Sequence, residues 1–175
     1  MQFEIKRLHE RLEITVVYVT HDQSEALTMS SRIAVFSRGA IQQIGSASEI
    51  YERPTSSFVA NFIGENNRLN GIVAGASGAR TSVLLDHGEK VMSRTVAMYP
   101  DGTPTSLSIR PERVELYPAD NIDNVFEGVV RELVYFGDHV RVRLAVCGNE
   151  NFIEKLPIAV INTSIQRNMK ITVGW

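Results

Sequence analysis

The stretch Ile14-Thr15-Val16-Val17-Tyr18-Val19-Thr20-His21-Asp22-Gln23-Ser24-Glu25-Ala26-Leu27 decides the reading of this chain, because a β-rich run ends on a histidine and passes at once into a helix start. Val16 to Val19 is apolar without alternation, the pattern of a strand covered on both faces as in parallel sheets. His21 would then stand at the carboxyl end of a strand, where open α/β sheets place ligand chemistry. Asp22 suits an N-cap, and Glu25 three residues later completes a capping-box pattern. Taken alone, a histidine here reads more readily as a polar residue opening a turn than as a catalytic group.

Outward from this segment, Gln2 to Leu12 has Ile5, Leu8 and Leu12 on one helical stripe. Arg32 to Phe36 and Ala40 to Ile44 read as a hairpin turned at Ser37-Arg38-Gly39. Ser46 with Glu49 marks a second capping box before a short helix ended by Pro54. Phe58, Val59, Phe62 and Ile63 give a third helix an apolar face, read as a packing surface, with Gly64 placed to close it. Beyond Arg68 the character is all-β. Strands are expected near Leu69 to Val73, Thr81 to Leu85, Ser106 to Ile109, Val125 to Tyr135, His139 to Val146, Phe152 to Glu154 and Lys170 to Val173, with Gly and Asp turns between them. Many short strands so punctuated suggest a small Greek-key barrel.

The continuation Glu25-Ala-Leu-Thr-Met-Ser-Ser-Arg32-Ile-Ala-Val-Phe-Ser-Arg-Gly39, with Ala40 to Gly45 and Glu49-Ile-Tyr-Glu-Arg-Pro54, resembles the ATP-binding subunits of ABC importers. The resemblance runs on through Phe58-Val-Ala-Asn-Phe-Ile-Gly64-Glu-Asn-Asn-Arg-Leu69 to Ile109-Arg110-Pro111-Glu112, and its wording is most similar to the spermidine/putrescine type. Sugar, ferric-iron and molybdate importers are less close. It implies an α+β chain: residues 1–67 as a remnant of an α/β P-loop nucleotide-binding domain, and residues 68–175 as an OB-like (TOBE) regulatory barrel. It also implies that His21 is the switch histidine that meets the γ-phosphate and orients attacking water in the parent enzyme. ATP and magnesium would be the parent's cofactors, and permease subunits and a second copy its partners, at the cytoplasmic face of the cell membrane.

No G-x-x-x-x-G-K-[ST] loop occurs in the chain, and the family's acidic metal-site strand, signature and glutamine-loop segments are missing too. Met1 would fall inside a helix of the family's ATPase domain. The chain is therefore expected to be the carboxy-terminal portion of a longer subunit, inactive as an ATPase by itself and holding neither cofactor nor metal. Val173-Gly174-Trp175 resembles a strand that family members continue, which raises the expectation that the last barrel strand is cut short as well.

At 175 residues, 43% hydrophobic and 22% charged, the chain is globular and can bury one sizeable core or two small ones. Its 18 Lys and Arg against 20 Asp and Glu leave a net charge of -2, which argues against a nucleic-acid partner. Cys147 stands alone and reads as a small buried thiol in a reducing compartment. No apolar run reaches the ~18 residues of a membrane span. His9, His87 and His139 lack metal-ligand spacing, and no G-x-S-x-G nucleophile motif occurs. Arg141 and Arg143 read as the wet face of a strand, and Arg110 as a structural salt bridge before an oxyanion holder. The rival to an importer subunit is a stand-alone OB-type module for a small anion or a nucleic acid.

Overall fold

The computed structural model describes residues 2–160 and 165–175, apart from the side chains of Gln2, Phe3, Glu10 and Val160. It divides into two compact units, residues 1–64 and 65–175.

In the first unit, helix α1 spans Gln2–Leu12 and α2 spans Gln23–Met29. Strands β1 (Ile33–Ser37) and β2 (Ala40–Gly45) follow, then α3 (Ala47–Glu52) and α4 (Ser57–Phe62). β1 and β2 pair antiparallel around the two-residue turn Arg38-Gly39, in which both residues take positive φ (50° and 76°), the twist that primed hairpin turns supply. Ser46 forms the expected capping box: its hydroxyl accepts from the Glu49 N–H at 3.3 Å while the Glu49 carboxylate accepts from the Ser46 N–H at 2.8 Å. Gln43 then fixes the chain between α3 and α4, donating to the Arg53 carbonyl at 3.0 Å and accepting from the Thr55 N–H at 2.8 Å. The core of this unit is Ile33, Val35, Ile50, Val59 and Ile63. Phe58 and Phe62 stack on each other at 5.7 Å and stay partly exposed, so of the expected face only Val59 and Ile63 are buried, with Ala60 beside them.

Two expectations for this unit need correction. Ile14 to Thr20 is irregular, with Val17 86% and Val19 89% exposed. A strand exists only where a neighbour completes its ladder, and among the described residues no sheet offers one to this segment. The α/β character of a P-loop remnant is likewise not shown: among the described residues the sheet of this unit is the antiparallel β1–β2 pair. The stripe on α1 is also uncovered, with Leu8 and Leu12 exposed.

The second unit is built from β3 (Asn67–Ser77), β4 (Arg80–Leu85), β5 (Lys90–Arg94), β6 (Pro104–Ile109), β7 (Glu115–Leu116), β8 (Val125–Tyr135), β9 (His139–Val146), β10 (Asn149–Pro157) and β11 (Lys170–Gly174). They form a four-stranded sheet in the order β5-β4-β3-β6 and a five-stranded sheet in the order β10-β9-β8-β11-β7, all pairs antiparallel. The expected barrel is thus present as two curled sheets around one core. Alternation sends Leu69 of β3, Val140, Val142, Leu144 and Val146 of β9, and Phe152 of β10 inward, where each buried aliphatic or aromatic contributes roughly 1.5 to 3 kcal/mol. Trp175 stacks on Phe126 at 5.3 Å and leans on Phe152 at 5.1 Å, closing one end. At Gly128 β8 lies close against its neighbours: a Cβ there would lie 2.8 Å from Val146 Cγ2 and 2.9 Å from Val173 Cγ2.

Two asparagine side chains bind the sheets together where no backbone ladder does. Asn67 of β3, 1% exposed, exchanges two hydrogen bonds with the backbone of Ile153 on β10. Asn124, just before β8, accepts from the Met92 N–H at 2.7 Å and donates to the Met92 carbonyl at 2.8 Å. A carboxamide has the donor and acceptor of a peptide group, so each side chain stands in for one rung of a β-ladder.

Candidate functional site

His21 lies between Thr20 and Asp22, whose side chains fix the start of α2. The Asp22 carboxylate accepts from the N–H groups of Ser24 (2.8 Å) and Glu25 (3.2 Å), as an N-cap should. Glu25 does not close the capping box directly. Its carboxylate accepts from the hydroxyls of Thr20 (2.8 Å) and Tyr18 (3.0 Å), and Thr20 in turn accepts from the Asp22 N–H at 2.9 Å. The Glu25 hydrogen bond and its negative charge raise the Tyr18 phenol above its ordinary value. The backbone around His21 is therefore pinned on both sides while the imidazole itself is exposed. Asp22 and Glu25 are committed to these bonds, and among the described residues no group of three or more His, Cys, Asp or Glu could hold a metal ion. The residues present do not by themselves make a nucleotide-magnesium site.

In the second unit the Ile109-Arg110-Pro111-Glu112 segment ends β6 and enters a 3₁₀ turn at Pro111–Arg113. Arg110, 8% exposed, donates to the backbone carbonyl of Glu65 at 3.2 Å. The Glu65 carboxylate meets Arg141 of β9 at 2.9 Å and Lys155 of β10 at 3.0 Å, residues directly opposite each other in the ladder. The expected wet face of β9 is thus partly used to seat the first residue of this unit, and Arg143 pairs with Glu132 at 3.1 Å.

A cleft of about 310 Å³ opens beside Arg68, Asn70, Asp86, His87, Cys147 and Asn149. Cys147 and Gly148 form the two-residue turn between β9 and β10, both at positive φ (48° and 71°), and a Cβ at Gly148 would overlap the His87 ring. Burial, with the charge of Glu89 adding, pushes the Cys147 thiol up to about 12, so it is a protonated packing group with no nucleophilic character. The polar groups of the wall satisfy one another: Arg68 Nε donates to Asn70 and Ser106, and the Asn149 amide donates to the Arg68 carbonyl.

Glu154 escaped the sequence reading. It is 2% exposed on β10, and its Oε2 has no hydrogen-bond partner among the described residues. Burial raises its carboxyl to about 8; the Leu116 N–H opposes the rise and Glu115 adds to it. The only signal in the sequence was its place among the inward-facing positions of the Phe152-Ile153-Glu154 run, where a carboxyl is out of pattern.

Residues 107–175 match the family model described as the TOBE domain. The chain is 42% identical over 166 residues to a spermidine/putrescine import ATP-binding protein of Trichodesmium erythraeum, which covers 90% of this chain and 43% of that protein. The protein of the same description from Roseobacter denitrificans is 39% identical over 176 residues, covering 99% of this chain and 47% of the relative. The chain thus spans less than half the length of these relatives. Among solved structures it is similar to the cytoplasmic molybdate-binding protein ModG, in a form with molybdate bound, with a TM-score of 0.54 at 18% identity over 62% of this chain and 88% of that one. At that identity the likeness concerns the fold, and it agrees with the OB-like pair of curled sheets. The resemblance to ATP-binding subunits of ABC importers of the spermidine/putrescine type is borne out.

Proposed function

We propose that this chain, whose relatives are ATP-binding proteins of spermidine/putrescine import, serves as the regulatory portion of the ATP-hydrolysing subunit of a polyamine-class ABC importer. In that reading residues 1–67 carry the switch histidine His21, and residues 68–175 are the regulatory domain through which two copies pair. ATP and magnesium belong to the whole subunit. Permease subunits hold the assembly at the cytoplasmic face of the membrane. The observation that carries the reading is identity of about 40% to such proteins along nearly the whole chain.

Geometry lends support at His21. A group that acts on a γ-phosphate has to be presented from a fixed backbone, and the Thr20, Asp22 and Glu25 bonds provide that while leaving the imidazole accessible. A stand-alone nucleic-acid module is not favoured by a net charge of -2.

The test is a hybrid in which this chain replaces the matching segment of the Trichodesmium erythraeum relative. The hybrid should hydrolyse Mg-ATP and take up spermidine with its permease partners. A folded hybrid that does neither, while the unaltered relative does both, would overturn the proposal.

A further inference from the structure

We propose that the outer face of β8 and β9, where Arg131, Arg143 and Arg167 line one concavity, is a binding site for a phosphate group. The inference goes beyond the transport role and does not rest on it.

The strand β8 is irregular here. Val130 pairs with Leu144 and Glu132 with Arg143, so Arg131 is an extra residue, a β-bulge. Such a bulge turns consecutive side chains toward the same side. Arg131 and Glu132 thereby share the outer face with Arg143, while Val130, Val142 and Leu144 remain in the core. On the other side of β8 a turn at residues 166–169 is fastened to the same point: the Val130 N–H donates to the Met169 carbonyl at 2.9 Å and the Asn168 N–H donates to the Val130 carbonyl at 2.7 Å. Asn168 takes φ of 66° to make that turn. Arg167 is carried to the rim of the bulge by it, and the resulting hollow, about 300 Å³, is lined by Arg131, Glu132, Leu133, Arg143 and Arg167.

Charge and donor supply identify the ligand. Glu150 holds Arg131 through Nε and Nη2 at 2.9 and 3.2 Å, and Glu132 holds Arg143 through Nε alone at 3.1 Å. Among the described residues no group pairs with Arg167. Guanidinium groups carry five N–H donors each, roughly fifteen in all, and these pairs use only a few. The carboxylates therefore fix the side chains without exhausting them, and the arginines outnumber the glutamates. A planar carboxylate satisfies one guanidinium fork. A tetrahedral phosphate offers oxygens in several directions at once, which suits guanidiniums converging from β8, β9 and the 166–169 turn.

The measurement is an Nε–Hε spectrum of the full chain labelled at arginine, titrated with inorganic phosphate at low ionic strength. Signals of Arg131, Arg143 and Arg167 should move together with one dissociation constant. Arg167→Gln, whose side chain makes no bond among the described residues, should weaken binding at least tenfold, with Arg167→Lys recovering part of it. Flotation with phosphatidic-acid vesicles, lost in Arg167→Gln, would assign the phosphate to a lipid headgroup. Binding of inorganic phosphate without flotation would assign it to a soluble species. Absence of both, shifts equally large at Arg38 and Arg94, or an Arg167→Gln affinity equal to that of the unaltered chain would overturn the site.

Discussion

The side-chain amide of Asn67 takes both backbone groups of Ile153, donating to its carbonyl and accepting from its N–H, each at 2.6 Å. Asn67 belongs to the four-stranded sheet and Ile153 to the five-stranded one, so this pair joins two sheets across which no ladder runs. Removing the amide would leave two part-buried backbone groups without this partner.

Asn67→Ala should therefore destabilise the second unit by about 2 to 6 kcal/mol, since each stranded buried polar group costs roughly 1 to 3 kcal/mol. Urea unfolding measures it. A loss below about 0.5 kcal/mol would show that water or a small shift replaces the amide.

Glu154 makes stability pH-dependent. Its folded carboxyl titrates near 8 against an ordinary value of 4.5. Between those values the unfolded chain has released the proton while the folded chain retains it. The stabilisation is complete below 4.5 and lost as pH rises toward 8. Glu154→Gln keeps the shape and removes the titration, so its melting temperature should fall less than that of the unaltered chain between those two pH values. Parallel curves would refute the assignment.

Gly128→Ala forces a methyl against Val146 and Val173 in the core. Overpacking of this kind costs typically about 1 to 3 kcal/mol. Thermal unfolding should show the loss, and Val173→Ala in the same chain should recover part of it.

Cys147 should resist alkylation at pH 8 in the folded chain, by about a thousandfold or more relative to a free cysteine, because its thiol stays protonated and buried. Iodoacetamide labelling followed by mass spectrometry, with and without denaturant, tests this. Rapid native labelling would mean that the β9–β10 turn opens.

In the hybrid subunit, His21→Ala should lower kcat far more than it changes the KM for ATP, the signature of a group acting in the transition state. Asp22→Ala should act through stability, costing about 1 kcal/mol by uncapping α2. An unchanged kcat for the His21 variant would return the residue to an ordinary turn position.

Much of the second unit was legible in the sequence. β8 and β9 have the bounds that alternation indicated, because side chains of period two on a half-buried strand leave their pattern in any order of assembly. β5 and the two-residue β7 were not anticipated: Lys90 to Arg94 has polar residues at both ends and a single fully buried position, Val91, and two residues carry no pattern at all. In the first unit the caps at Asp22 and Ser46 were readable because a cap is a local bond between neighbours in the chain. The Ile14 to Val19 run misled for the opposite reason. Its β-branched residues favour extension, but a ladder needs a second strand, and propensity does not supply one.

The amino-acid sequence by itself determined what depends on near neighbours: helix starts, hairpin turns such as Arg38-Gly39, strand alternation, and the motif run whose likeness to importer ATP-binding subunits the relatives bear out. Only the tertiary structure decided which groups meet across distance. Asn67 with Ile153, Arg110 with Glu65, and Arg167 beside the Arg131 bulge are each brought together by sheet register and turn placement. Those contacts join residues far apart in the chain, and their cost or gain is set by burial, which no local window of sequence contains.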